Sequence, residues 1–393
     1  MKYILFKSVL AASILVNGTF LYKYTGLFKT KPGVDVSESN SNFTGGNRTY
    51  YNALQFSVVG RGHDEPNFNR LPAKYKHTVR PEVWKLSTNS SGISVAFTTN
   101  SPFISIRWSV QTFATPSAMS RIGANGVDLY CFKEGRWQYV SSGVPSGKKN
   151  ENLVISDMDS TMKDFMLYLP LYDVTESIEI GVSNTAKIIA GKRLHDQPSD
   201  RIIFYGTSIT QGRGASRPGM NYPSIISRHL NAEVINLGFN SNGRFESSIG
   251  EMLCETKSGL IVLDCTPNSV PDTIRNNLPK LIRQIRTCKP NIPILLIESI
   301  QREYSYFKTS DSTTFGSFAF IKCQNQALMR VYQKAVADSV TNLYYLESSS
   351  LLGNDHEATV DGTHLSDLGL QRIANAVEEK IEAILNPDSV ITY

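Results

Sequence analysis

Tyr205-Gly-Thr-Ser-Ile-Thr-Gln-Gly212 follows directly on the apolar run Ile202-Ile203-Phe204. An apolar run that ends at a glycine reads as a strand entering a tight turn, and Ser208 then stands where a helix begins. Backbone N–H groups at such a terminus favour negative charge. A serine hydroxyl is a weak nucleophile at neutral pH, so an adjacent base must take its proton as it attacks a carbonyl carbon. A plainer explanation is also open, because serine routinely caps helices. The segment lacks the second glycine of a Gly-x-Ser-x-Gly turn, and the chain holds no Gly-x-x-x-x-Gly-Lys-Ser/Thr phosphate loop.

Two remote segments supply what an acyl-transfer site needs. Asp361-Gly-Thr-His364 puts a carboxylate three residues before an imidazole. Within one turn the carboxylate can hold one ring nitrogen, fixing the tautomer, while the other faces a hydroxyl. Taken alone, an Asp-Gly turn beside a surface histidine is common, and a metal site would need further ligands that no His or Cys cluster provides. The second segment is Asp264-Cys-Thr-Pro-Asn268, which follows the apolar Leu260-Ile-Val-Leu263. Open α/β sheets place their ligands at the carboxyl ends of such strands, and a side-chain amide there can donate to a developing oxyanion. Asn268 and Asp264 are equally well explained as turn formers beside Pro267.

In this order the three segments resemble the SGNH/GDSL hydrolases, serine esterases and lipases built on a three-layer α/β/α fold with a parallel sheet. The resemblance implies that Ser208 is the nucleophile, His364 the base and Asp361 its orienting acid. It also implies an oxyanion hole made by the Ser208 N–H and Asn268, completed by the N–H of a glycine in a further block. The matching stretch here is Asn236-Leu-Gly-Phe-Asn-Ser-Asn-Gly243, where relatives of this subgroup usually read Gly-Phe-Ser-Gly-Asn-Gly. Ser241 stands at the glycine. Serine keeps the backbone donor, but a positive φ would strain its Cβ. Upstream, Gly126-Val-Asp-Leu-Tyr130 is similar to the Gly-x-Asp-Leu-Tyr motif of a β-domain that precedes the hydrolase domain in one bacterial branch of the family.

The rest of the 393-residue chain agrees with that organisation. Hydrophobic residues make up 41% and charged residues 19%, enough for packed cores. With 40 basic against 35 acidic residues and no long basic run, nothing points to nucleic acid as a partner. Residues 1–22 combine Lys2 and Lys7 with a short apolar stretch broken well below the roughly 20 residues a membrane span needs, which favours an export signal over an uncleaved anchor. Residues 23–49 read as a polar linker, and Asn42, Asn47 and Asn89 open glycosylation sequons. The five cysteines lack metal spacing, and their odd number argues against a disulfide framework.

From 50 to 196 the pattern is period two, as in Ile93, Val95 and Phe97 or Ile104, Ile106 and Trp108, which predicts an all-β sandwich, and the resemblance implies a jelly-roll-like version of it. Its aromatic residues Trp84, Trp108, Trp137, Tyr130 and Tyr139 are expected mainly in the core rather than in a sugar-stacking platform. From 197 to 393 apolar strands alternate with helical stretches, the mark of an α/β layer fold. Strands are expected at 202–205, 233–237, 260–263, 294–297 and 343–346, with a final helix over 366–385. His63, His77, His195, His229 and His356 have no evident partner. The long connection 301–320 carries Tyr304, Tyr306, Phe307, Phe315 and Phe318 and is suited to shaping a cleft.

These observations predict an exported serine esterase that needs no metal or organic cofactor; the resemblance, in a family that includes carbohydrate deacetylases, implies that it acts on small acyl groups, acetyl above all, carried by a carbohydrate. A lipid acyl ester is the alternative substrate, and a glycan-binding protein with weakened catalysis is the alternative class. Membrane contact is expected only if the leader stays uncleaved, and nothing in the sequence sets an oligomeric state.

Overall fold

The computed structural model describes residues 47–191, 201–349 and 351–386. The expected leader, nearly all of the linker with Asn42, the junction 192–200 with His195, and residues 387–393 lie outside the described residues. Among the described residues no helix is long and apolar enough to cross a membrane.

The first half is a sandwich of two antiparallel sheets. One orders Arg48–Asn52, Thr175–Ser183, Ile104–Val110 and Lys149–Ile155. The other orders Ile188–Ala190, Ser94–Thr99, Lys163–Tyr168, Val127–Lys133 and Arg136–Gly143, with Ser57–Val59 also paired to Ser94–Thr99. The alternating residues do what their period requires. Val95, Phe97, Ile106, Trp108, Ile178 and Ile180 from both sheets form one buried cluster, while Arg107 and Glu179 face outward.

The second sheet also buries its other face, which the alternation does not predict. Tyr130, Met166 and Tyr168 form a further cluster there, and the Arg228 guanidinium lies 4.2 Å from the centre of the Tyr130 ring. The Gly-x-Asp-Leu-Tyr motif is therefore a clamp on the second half of the chain. Asp128, fully buried, accepts from Arg217 Nη1 and from the Gly219 N–H, both at 2.9 Å. The expected aromatic core is accordingly divided. Trp108 and Tyr130 are buried, Trp137 reaches across to Asn231 at 3.0 Å, Trp84 packs on the core of the second half, and Tyr139 is exposed beside Arg217.

The second half is a five-stranded parallel sheet. Its order is Val234–Gly238, Ile202–Gly206, Leu260–Asp264, Ile294–Ile297, Leu343–Leu346. Ile202–Phe204, Leu260–Leu263 and Ile294–Ile297 are unbroken apolar runs because both faces are covered, while Asn236 interrupts Val234–Gly238. Ile203 and Tyr205 point into a cluster with the helices Ser247–Glu255, Pro271–Cys288 and Phe318–Ala337. Ile202 and Phe204 point the other way, toward Tyr222–Leu230 and Asp367–Leu385. Three layers result. The first strand lies between the second and third, so the chain reverses direction across the sheet at the carboxyl end of Ile202–Gly206, where such sheets bind ligands.

Two expectations need correction. Cys254 and Cys288 form a disulfide, because the helices that carry them pack side by side and bring their Cα atoms to 5.6 Å. A spacing of 34 residues carries no sign of that pairing, and an odd count leaves room for one bridge. Three of the histidines also have partners: His229 meets Glu378 at 2.7 Å, His356 meets Glu303 at 2.8 Å, and His63 meets the Asn69 carbonyl at 3.0 Å.

Candidate active site

The strand Ile202–Gly206 ends without room for a side chain, since a Cβ on Gly206 would lie 2.0 Å from Thr210 Oγ1. Thr207 then caps the short helix Ser208–Gln211, its hydroxyl accepting from Ile209 N while its own N–H donates to Thr210 Oγ1. Ser208 is the first helical residue rather than the cap, so its hydroxyl is not spent on the helix. Beneath the turn lies Asp264, whose Oδ2 accepts from Thr210 Oγ1 at 2.7 Å and Tyr222 OH at 2.9 Å. Burial raises its pKa to about 6 against those two donors. Gly212, at φ +99, closes the helix.

Three groups far apart in the chain meet at this turn. His364 Nε2 lies 3.1 Å from Ser208 Oγ, and His364 Nδ1 lies 2.8 Å from Asp361 Oδ2. A carboxylate only accepts, so Nδ1 carries the proton and Nε2 is left as the acceptor for the hydroxyl. Asp361 is itself fixed by the backbone N–H groups of Thr363 and His364, which donate to Oδ1 at 3.0 and 2.8 Å. Gly362 makes that turn possible at φ +81, and its carbonyl accepts from Glu303 N at 2.9 Å.

Charge at the site follows from these contacts. Burial disfavours the Asp361 carboxylate, yet hydrogen bonds from the ring and backbone of His364 outweigh it and hold the carboxyl below its ordinary value. Burial also lowers the His364 pKa below its usual 6.5, Asp361 opposes the shift, and the guanidinium groups of Arg213 and Arg302 reinforce it. The imidazole is therefore neutral at pH 7 and able to accept a proton. A base of this kind works above its pKa and fails below it. Plots of kcat/KM against pH are expected to fall on the acid side with a midpoint below 6.5, and a midpoint above 7 would contradict this electrostatic picture.

The remaining donors come from neighbouring strand ends. Asn268 Nδ2 donates to the Asn242 carbonyl at 2.7 Å, which fixes the amide and leaves its second hydrogen free. Ser241 adopts φ +58, the left-handed conformation that glycine would take without strain. The N–H groups of Ser208 and Ser241 engage no acceptor among the described residues. Gly243 packs so tightly that a Cβ there would lie 2.1 Å from the Gly206 carbonyl, which ties this loop to the turn bearing Ser208. Among the described residues no group of three or more His, Cys, Asp or Glu is placed to hold a metal ion.

Several supports of the site are silent in the sequence. Gln211 Oε1 accepts from Asn240 N at 2.9 Å, while its Nε2 donates to Leu171 O in the first half of the chain. Arg213 bridges Asn240 Oδ1 and Ser117 Oγ at 2.9 and 2.7 Å. Arg302 holds the Pro267 carbonyl at 3.0 Å. Arg70 is fully buried and donates to four carbonyls, those of Leu86, Asn89, Asn236 and Gly238, with its guanidinium 4.9 Å from the centre of the Phe239 ring. Burial lowers its pKa to about 9. Methionine at position 70 would fill the space and donate nothing. Arg70→Met is expected to lower stability by roughly 1–3 kcal/mol for the orphaned carbonyls, read as a reduced urea midpoint. An unchanged midpoint would contradict the role given to Arg70.

A layered α/β fold that presents a serine, an imidazole and a carboxylate in one relay is the construction of a serine acyl-transfer enzyme. The chain belongs to the GDSL-like lipase/acylhydrolase family: residues 199–382 match the model of that family, and residues 48–188 match the model for the N-terminus of SGNH-hydrolase-type esterases, named GxDLY. It is a carboxylic ester hydrolase of that type. A crystal structure described as a GDSL-like lipase from Bacteroides ovatus is 37% identical and superposes with a TM-score of 0.81, covering 86% of this chain and 98% of that one. A salicylyl-acyltransferase from a tetracycline biosynthetic pathway shares the fold at 15% identity and a TM-score of 0.70, covering 86% and 98%. So does a family two carbohydrate esterase from Clostridium thermocellum in complex with cellohexaose, at 13% identity and 0.54, covering 75% and 93%. No curated protein matches the chain.

Proposed function

We propose that Ser208 attacks the carbonyl carbon of an acetyl or similarly small acyl ester carried by a carbohydrate. The 3.1 Å approach of Ser208 Oγ to a neutral His364 Nε2 carries the catalytic part of this reading. As the C–O bond forms, the serine proton passes to Nε2 and Asp361 stabilises the imidazolium. The N–H groups of Ser208 and Ser241 and the Asn268 amide receive the oxyanion. The intermediate collapses when His364 returns the proton to the leaving sugar oxygen, leaving an acyl-serine. Water then attacks that ester with His364 again as base, releasing the acid and restoring Ser208.

The carbohydrate part of the reading is supported by the family two carbohydrate esterases, from Clostridium thermocellum and Cellvibrio japonicus, that share the fold. A panel of acetylated sugars and of aryl esters with acyl chains from two to sixteen carbons tests it. The expected result is highest kcat/KM for acetyl, falling as the chain lengthens. A maximum at long chains would favour a lipid substrate. Export of the protein fits the Cys254–Cys288 bridge, since disulfides persist in oxidising compartments.

A further inference from the structure

Beside the turn that carries Asp361 and His364 lies a cavity of about 510 Å³, whose lining includes none of Ser208, Asp361 and His364. Its volume falls within the range of about 300–1,000 Å³ typical of small-molecule sites. Tyr306, Phe318, Gln301, Glu303, Asn354 and His356 contribute to its wall. It adjoins the relay through the backbone, because the Glu303 N–H donates to the Gly362 carbonyl and the next residue, Tyr304, packs against Gly362.

We propose that this cavity is a subsite for a neutral sugar ring, the alcohol part of the ester. This rests on the esterase reading above and deepens it. The wall has two faces that suit one kind of ligand. Tyr306 and Phe318 are half exposed and meet at 5.8 Å between ring centres, while the His356 ring stands edge-on to Tyr306 at 5.3 Å. The C–H face of a pyranose carries slightly positive hydrogens that suit the negative face of an aromatic ring. Opposite chemistry lies alongside. Glu303 is oriented by His356 Nδ1 at 2.8 Å, and Gln301 and Asn354 offer amides that both donate and accept.

The same wall argues against other occupants. Glu298, a second carboxylate, is held by Tyr345 OH and by the N–H and hydroxyl of Ser348. With two carboxylates and no lysine or arginine in the lining, the cavity repels phosphates and fatty carboxylates. Arg372, which lies against Gly353, is already bidentate to Asp355. An acyl chain would strip water from carboxylates and amides without replacing their hydrogen bonds. His356 holds its place at φ +61, a backbone conformation that non-glycine residues adopt at a cost.

The test compares two substrates of one acetyl group, a mono-acetylated methyl xylopyranoside and p-nitrophenyl acetate, on the full chain. In Tyr306→Ala, KM for the sugar ester is expected to rise roughly tenfold, so that the ratio of its kcat/KM to that of the aryl ester falls by the same factor. Glu303→Gln, which keeps the side chain's size, is expected to lower the ratio in the same direction. An unchanged ratio in both variants would overturn the subsite, as would a long-chain acyl ester showing the split in place of the sugar ester. If aryl acetate cleavage survives Ser208→Ala, it is the esterase reading that fails. The cavity is then judged separately, by saturation-transfer NMR of methyl xylopyranoside, whose contact signal must disappear in Tyr306→Ala.

Discussion

Ser208→Ala is expected to lower kcat for p-nitrophenyl acetate by about 10⁴- to 10⁶-fold, with the fold intact. The size of the effect follows from the site's construction. Ser208 is the first residue of its helix, Thr207 does the capping, and the hydroxyl faces His364 Nε2 at 3.1 Å. Alanine therefore removes the proposed nucleophile and leaves the cap, Gln211 and the Asp264 network in place. Stability should change little. His364→Ala is expected to cost about as much, and the double variant little more than either, because groups that act as one unit lose their function once. Steady-state rates of the three variants check this. Additive losses, or a Ser208→Ala rate within tenfold of the parent, would remove Ser208 from the chemistry.

Asp361→Asn is expected to reduce kcat by about 10⁴-fold, the magnitude measured when the acid of a serine protease triad is changed in the same way. The cause is the direction of one hydrogen bond. Asp361 Oδ2 accepts from His364 Nδ1–H, which leaves Nε2 bare toward Ser208. An asparagine that turns its NH₂ toward Nδ1 forces that nitrogen to accept, so Nε2 carries the proton and points it at the hydroxyl it should deprotonate. The change also removes the charge that stabilises the imidazolium and opposes the lowering of the His364 pKa. The rate and its pH profile together check the role. A rate within tenfold of the parent would leave Asp361 as a turn former only.

Much of this architecture is legible in the sequence, and the reason is local. Ile202 to Phe204, Leu260 to Leu263 and Ile294 to Ile297 are strands buried on both faces, so composition alone marks them; the first two run one residue past their expected ends and the third matches. Ser208 and Asn268 follow closely on buried strands, and with Asp361 and His364 they are readable because their segments, in this order, resemble those of a known family. What is not legible depends on pairings across long separations. Nothing near Arg70 distinguishes a buried clamp on Gly238 from a surface arginine, and only the packed structure shows that its partners are carbonyls. Asp128 and Tyr130 are visible as a motif, but their contact with Arg217 and Gly219 is not. The helix Phe318–Ala337 starts inside the connection 301–320, where Ser317 caps it by accepting from the Phe320 N–H.

Reaction of the protein with diethyl p-nitrophenyl phosphate, followed by peptide mass mapping, tests the nucleophile most directly. The phosphorus mimics an ester carbonyl and stays bound to whichever oxygen attacks it. The expected result is a single diethylphosphoryl group on Ser208, formed with loss of esterase activity and absent in His364→Ala. A hydrolytically active protein that carries the group on another residue, or that loses activity with Ser208 unmodified, would contradict the mechanism.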